Sequence, residues 1–370
     1  MKKRTITNLL SIAIVSSLIV ACGSDSTKRE SPTTGKVIDD YIAGAKVCAD
    51  VNHNGIADDG PENCVETDGQ GNFKFTTLRR EPLVMSGGVD IGTGQKFKGT
   101  FLAPAGSKVI NPLTTLVHSV QSEGNKTVEE AQKIVKEKLG LNNHTSLDLT
   151  TFDPLAELQF GENIATKEIA QQVLAQQTTV QVILSVTATT ISSASSNEIS
   201  ESEVSLEASS QMAQLMLSQA GTNSPELSSE ETIQTIIEET AQETFSEDIE
   251  ALASVEAVQD AVAQQVQVVA QTVTANIQAI QLNDTESSGL TTIKESNAAV
   301  LLVTDTQSED SITNIIEEAV TTGDTQTLSA VDISTEIDNS ENQLIERPEV
   351  IEVIEENIEI QPTGGEGGTF

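Results

Sequence analysis

The stretch "GKVIDDYIAGAKVCADVN", residues 35–52, carries the reading of the fold. Apolar and polar residues alternate along it and β-branched residues recur, which is the period-two pattern of half-buried strands. Gly44 interrupts the pattern and predicts a turn between two strands. Further on, "ETDGQGNFKFTTL" (66–78) reads as a strand, a glycine-rich turn and a second strand. Phe73 and Phe75 are two residues apart, so both point to one face. The segment "EPLVMSGGVDIGTGQKFKGTFLAPAGS" (81–107) adds short strands punctuated by Gly and Pro. Several short strands at this spacing predict a small β-sandwich over residues 35–110.

The signals turn helical at residue 111. In "NPLTTLVHSVQS", Leu113, Leu116, Val117 and Val120 recur at helical spacing. In "NKTVEEAQKIVKEKLG", Thr127 and Glu130 form a capping box, and Val128, Ala131, Val135 and Leu139 make one apolar stripe. Lys136 and Lys138 fall in the last turn, where the helix dipole favours cations, and Gly140 is a stop signal. With a turn at Pro154, residues 111–160 are expected to form a small helical cap. His118 and His144 stand without a partner motif and read as surface or packing residues.

Composition divides the chain again. Residues 1–167 hold 18 of the 20 Lys and Arg against 20 acidic groups, whereas residues 168–370 hold only Lys294 and Arg347 against 36. Nearly all of the net charge of −36 therefore lies in the second half. Such a surface repels nucleic acid and anionic lipid. Beyond Phe160 the aromatics are Phe245 and Phe370, and Trp is absent throughout. A region without aromatics lacks the side chains that supply much of a large core, so thin helical layers, or partial disorder, are expected over 161–360. Residues 166–187 carry a stripe through Ile169, Val173, Val180 and Leu184, and Ser228 with Glu231 reads as a capping box. A longer stripe runs through Leu252, Val255, Val258, Val262, Val266, Val269, Val273, Ile277 and Ile280. It predicts one helix over 252–280 whose apolar face must bury against another helix of the chain or against a partner or second copy. Residues 361–370 read as a disordered tail. The fold class is therefore α+β and multidomain: a β-sandwich followed by an acidic, mostly α-helical region.

The first residues bear on location. Lys2, Lys3 and Arg4 precede an apolar run from Leu9 to Val20, the layout of a secretory signal over 1–21. "IVAC", ending at Cys22, resembles the lipobox of bacterial lipoproteins. That resemblance implies that Cys22 becomes the lipidated first residue of the mature chain, anchoring it in the bacterial cell envelope. Gly23, where an Asp favours inner-membrane retention, implies the outer membrane. Acyl chains contribute ~0.8 kcal/mol per buried methylene, so two or three of them make a durable anchor. Residues 22–34 read as a flexible tether.

The pattern G-x-V-x-D, G-A-x-V, D-x-N-x-N-G and T-D-x-x-G-x-F, spread over "GKVIDDYIAGAKVCADVNHNG" and "ETDGQGNFKF", resembles the prealbumin-like modules of bacterial surface proteins. These are the carboxypeptidase-regulatory-like and SdrD B-type repeats. The resemblance covers roughly residues 35–120. It implies a stalk, spacer or adhesive module and no catalysis.

Between Cys48 and Cys64 lies the run Asp50, Asn52, Asn54, Gly55, Ile56, Asp58. With Asp50 as position one, oxygen ligands fall at one, three and five, the turn glycine at six, the Ile56 carbonyl at seven and Asp58 at nine. This is the ligand order of an EF-hand loop. Calcium takes six to eight hard oxygens, and alternate residues of a tight loop converge on one point. Position twelve departs from the pattern, with Pro61 there and Glu62 one residue late. Two readings stand on the sequence: a calcium loop of Asp50, Asn52, Asn54, Ile56, Asp58 and Glu62, or a polar β-turn. An extracellular loop of this kind binds calcium with a Kd of roughly 10⁻⁴ to 10⁻³ M. Outside the cytoplasm Cys48 and Cys64 are expected to form a disulfide, closing a ring that contributes roughly 3 kcal/mol. Their spacing is not that of a C-x-x-C redox pair, and His53 is the sole nearby imidazole for zinc.

No nucleophile elbow, P-loop, dinucleotide fingerprint, H-E-x-x-H or Cys-His pair occurs in the sequence. The functional expectation is a non-enzymatic, lipid-anchored envelope protein with a structural or adhesive role, its sandwich stiffened by calcium and a disulfide. The alternatives are a periplasmic scaffold that binds a protein partner through its helices, and a glycan-binding module. Tyr41 is the sole Tyr, which argues against stacking platforms for sugars.

Overall fold

The computed structural model describes residues 31–58, 62–92, 94, 96–195, 199–218, 227–279, 312–330 and 335–336. The leader, Cys22, most of the tether, Asp59, Pro61, Ile280 and the tail 361–370 lie outside them.

The β-branched stretch at 35–52 forms strands as its alternation predicts. β1 is Thr34–Val37, β2 Ile42–Ala43 and β3 Lys46–Ala49. Gly44 turns between the last two with φ +66°. The turn does not close a hairpin, because β2 and β3 join different sheets. The remaining strands are β4 (Cys64–Glu66), β5 (Asn72–Lys74), β6 (Leu83–Ser86), β7 (Val89–Asp90), β8 (Thr100–Ala103) and β9 (Val109–Ile110). One sheet has the order β5-β1-β9, with β1 and β9 parallel; another has the order β4-β3-β6-β8, antiparallel throughout; β2 pairs with β7. Side chains from both larger sheets meet in one cluster, including Val37, Val47, Phe73, Phe75, Met85 and Phe101. Phe73 and Phe75 are buried together and meet edge to face with ring centroids 6.0 Å apart. A methyl group at Gly35 would run into the Lys108 backbone carbonyl and stand 2.6 Å from the Phe73 ring, so the first residue of the G-x-V-x-D pattern is small because backbone and an aromatic both close over its Cα.

Three helices follow. α1 (Pro112–Gly124) begins with a reciprocal cap between Asn111 and Thr114, and Leu113, Leu116, Val117 and Val120 are fully buried. Its first turn is tied to β8: Thr114 Oγ1 donates to the Leu102 carbonyl at 2.8 Å, and Leu102 N–H donates to Thr115 Oγ1 at 3.0 Å. α2 (Val128–Lys138) carries the expected Thr127–Glu130 capping box, and Gly140 takes φ +69° beyond its end. α3 (Pro154–Phe160) is capped by Asp153.

The acidic half supplies α4 (Ile164–Ala194), α5 (Glu201–Ser218), α6 (Glu230–Thr244), α7 (Ile249–Ala279), α8 (Ile312–Thr322) and α9 (Gln326–Ala330). The cap of α6 is Ser229, one residue later than the sequence suggested, because its hydroxyl accepts from Thr232 N–H. α7 spans the predicted stripe, and Val255, Val258, Val262, Val266, Val269, Val273 and Ile277 are all buried. It packs against α4, α6 and α8 of the same chain, which takes the intramolecular of the two alternatives for that face.

Thin layers are not what forms. At 31 residues, about 46 Å, α4 is surrounded by α3, α5, α7 and α8. From Val173 to Ser192 most of its residues are buried, including Gln177, Thr187 and Thr190 at 0% exposure. Small and β-branched residues let neighbouring helices approach closely, and some of the hydroxyls are satisfied within the helix: Thr178 and Thr190 donate to the carbonyls of Leu174 and Val186, while the buried Thr187 hydroxyl has no hydrogen-bond partner. One apolar cluster runs from Ile38 through all the helices to Leu328. The boundary expected at residue 160 falls inside this cluster, whereas most of the apolar residues of the β-region, from Val37 to Ile110, form a cluster of their own. The class is α+β.

Candidate cation loop

β3 ends at Ala49, and its backbone direction delivers Asp50 inward. The Asp50 N–H donates to the Pro82 carbonyl at 2.9 Å, and its side chain is 1% exposed. The chain then doubles back, with His53 at φ +58° and Gly55 at φ +70°. Left-handed geometry at position six suits glycine alone without cost, and Leu206 of α5 lies 3.2 Å from where a Cβ would stand. Both Asp50 oxygens are used: Oδ1 accepts from Asn54 N–H at 3.2 Å and Oδ2 from Gly55 N–H at 3.1 Å.

The other expected ligands gather around this turn. Asn52 Oδ1 accepts from Asn54 N–H at 3.0 Å, and Asn54 Oδ1 accepts from Ile56 N–H at 2.9 Å. The amide nitrogens of Asn52 and Asn54 both donate to Asp58 Oδ2, at 3.3 and 3.0 Å. The Ile56 carbonyl accepts from Asp58 N–H at 2.9 Å. Glu62, one residue late by the loop pattern, nevertheless reaches the site, because Asp58 N–H donates to its Oε2 at 3.2 Å. The structure therefore brings together Asp50, Asn52, Asn54, Asp58 and Glu62.

Glu62 is 5% exposed, and its second oxygen, Oε1, is buried with no hydrogen-bond partner. Burial, reinforced by the negative charges of Asp50 and Asp58, raises its carboxyl above the usual range, against the opposing pull of the Asp58 and Val51 N–H groups. A buried carboxylate oxygen without a donor is costly unless a proton or a cation satisfies it. The residue types suit a hard cation, but Asp50, Asp58 and Glu62 do not each bring a carboxylate oxygen within 4.8 Å of the other two, and Asn52 and Asn54 turn their amide nitrogens toward Asp58.

Cys48 and Cys64 are directly opposed across β3 and β4 and are bonded, with Cα atoms 4.1 Å apart. The bridge closes the mouth of the loop. A Glu62 oxygen lies within 4.8 Å of both sulfurs.

Two features were not visible in the sequence. The loop residues His53–Ile56 form one wall of a cleft of about 320 Å³, whose other walls are α1 and α5. His118 lines it, and burial lowers its basicity. The "IDDY" of the first strand pair is also a buried polar cluster. Asp39, Asp40 and Asp90 are at most 4% exposed, and burial together with the charges of Asp90 and Asp40 raises Asp39 well above the carboxylate range. Alternation assigned these residues to strands but carried no sign of burial. His144 pairs with Gln172 at the surface. No helix among the described residues is long and apolar enough to cross a membrane.

Comparison with protein-family models, with curated proteins and with solved structures finds no match to this chain.

Proposed function

We propose that this chain is a non-enzymatic, lipid-anchored protein of the bacterial cell envelope with a structural or adhesive role. Its β-region acts as a sandwich module stiffened by calcium at the loop 50–62 and by the Cys48–Cys64 bridge. The observation that carries the reading is the buried, donor-less Oε1 of Glu62 beside Asp50 and Asp58. Calcium supplies the missing positive charge and draws the oxygens of Asp50, Asn52, Asn54, Asp58, Glu62 and the Ile56 carbonyl into one shell. The lipobox-like Cys22 supports the anchorage, and the prealbumin-like pattern supports the structural role. The acidic helices pack on the β-region through Lys98, whose ammonium pairs with Glu201 at 3.4 Å and whose carbonyl accepts from Ser202 Oγ at 2.9 Å. A stiffened loop under Leu206 therefore bears on α5.

Thermal melting of the oxidised protein with calcium and with EGTA tests the reading. A calcium-dependent rise in Tm, abolished by Glu62→Gln, is expected. Identical melting curves in calcium and EGTA would sink it.

A further inference from the structure

Glu62 faces two donor sets at once. On one side are the hard oxygens of Asp50 and Asp58; on the other, its carboxylate lies within 4.8 Å of Cys48 Sγ and Cys64 Sγ, which lie within the same distance of each other. In the oxidised protein the sulfurs are committed to each other and offer no thiolate. Reduction changes the chemistry without requiring the backbone to move. Residues 48 and 64 are held opposite by the ladder between β3 and β4, and β3 is also paired to β6 over its whole length. The two thiols therefore stay together beside the Glu62 carboxylate, one oxygen of which lacks a partner.

The geometry points to a second, redox-gated site in this loop: after reduction, Cys48, Cys64 and Glu62 bind a soft or borderline divalent cation of the zinc class. Two thiolates and one carboxylate make a three-ligand tetrahedral set, with the fourth position left to water. Thiolates select such a metal over calcium. Cys64 is partly exposed and Cys48 is fully buried, so an external dithiol attacks Cys64 Sγ. The S–S bond breaks, and Cys48 leaves as the thiolate and takes up a proton. The reductant's second thiol then displaces Cys64 and carries off the disulfide. Two electrons pass from the dithiol to the bridge, and metal binding releases the two thiol protons to solvent. The inference shares Glu62 with the calcium reading but is read in the reduced protein, through the sulfurs that calcium would ignore.

The test is a cobalt(II) titration of the full chain, once oxidised and once reduced by a dithiol that is then removed anaerobically. The reduced protein is expected to develop a thiolate-to-cobalt charge-transfer band in the near ultraviolet that zinc bleaches, at one equivalent, while the oxidised protein stays silent. Glu62→Gln should weaken the reduced-state affinity about tenfold or more, since changing even a residue that only supports a metal's ligands costs about that much. Circular dichroism of the reduced protein, taken alongside, records whether the fold persists. Absence of the band in folded, reduced protein overturns the proposal. So does a band that Glu62→Gln leaves unchanged, since that is what a thiol pair on an unfolded chain would give. The calcium melting experiment on oxidised protein succeeds or fails separately.

Discussion

Tyr41 donates its phenolic O–H to the Asp153 carboxylate at 3.0 Å, across 112 positions of sequence. The same carboxylate accepts from Ala156 N–H at 2.9 Å and so caps α3. One side chain thus joins the β-region to the start of the helical region. Lys36 Nζ lies 3.8 Å from the centre of the Tyr41 ring. Burial holds the Asp153 carboxyl above its ordinary range, partly offset by the Ala156 N–H, the Lys36 charge and the Tyr41 hydroxyl.

Tyr41→Phe keeps the ring and deletes the donor. Hydrogen bonds to charged groups contribute roughly 1.5–3 kcal/mol, so a Tm lowered by several degrees is expected. A variant as stable as the parent would mean that Asp153 finds another donor without cost.

The buried Asp39 sets a dependence on pH. Its native carboxyl is raised by burial and by Asp90 and Asp40, so the folded state holds a proton that the unfolded state releases above about pH 4. Stability from this group is full below the unfolded value and is lost as pH rises through the raised native value. Asp39→Asn keeps the shape and removes the titration. Denaturant midpoints from pH 4 upward should decline less steeply in the variant than in the parent; parallel curves would count against a neutral Asp39.

Within the loop, Asp50 and Asn54 have different tasks. Asp50 is buried and holds two backbone N–H groups. Asp50→Ala should cost several kcal/mol with or without calcium, because both donors lose a charged acceptor. Asn54 is exposed, so Asn54→Ala should cost little in EGTA yet shrink the calcium-induced Tm rise. Equal effects of the two substitutions in EGTA would contradict this division.

Protons compete with calcium at Glu62. Its raised carboxyl means that the calcium-induced Tm rise should fade as pH drops through that raised value, earlier than an ordinary carboxylate would require. Glu62→Gln, which abolishes the rise, should remove this dependence with it. Melting in saturating calcium across pH 4–7 reads both.

The Cys48–Cys64 bridge closes a loop of sixteen intervening bonds of sequence. Replacing both cysteines with Ala should cost roughly 3 kcal/mol by loop-closure entropy, measured by denaturant unfolding. A much smaller loss would indicate that β3–β4 pairing already restrains the unfolded chain.

Local features of the sequence were legible because their causes are local. Alternation at 35–52, the Gly44 turn, the capping box at Thr127 and the valine stripe of α7 each follow from the backbone geometry of a few neighbouring residues. The spacing of Asp50, Asn52, Asn54 and Asp58 likewise placed the candidate loop. Burial of polar residues was not legible. α4 reads as glutamine- and threonine-rich, yet it lies at the centre of the helices, where Thr178 and Thr190 donate to its own carbonyls and Gln177 donates to the carbonyls of Ile38 and Asp39.

By itself, then, the sequence determined the strand and helix segments, the ligand order of the loop and the pairing of its two cysteines. The tertiary structure alone decided that Glu62 turns back toward Asp58, that Asp39 lies beside Asp90, that Tyr41 meets Asp153, and that Ile38, Tyr41, Ile91 and Val109 join the core of the helices. The reason is physical: dihedral preferences and side-chain periodicity act over a few residues, whereas desolvation and charge proximity depend on which distant segments pack together.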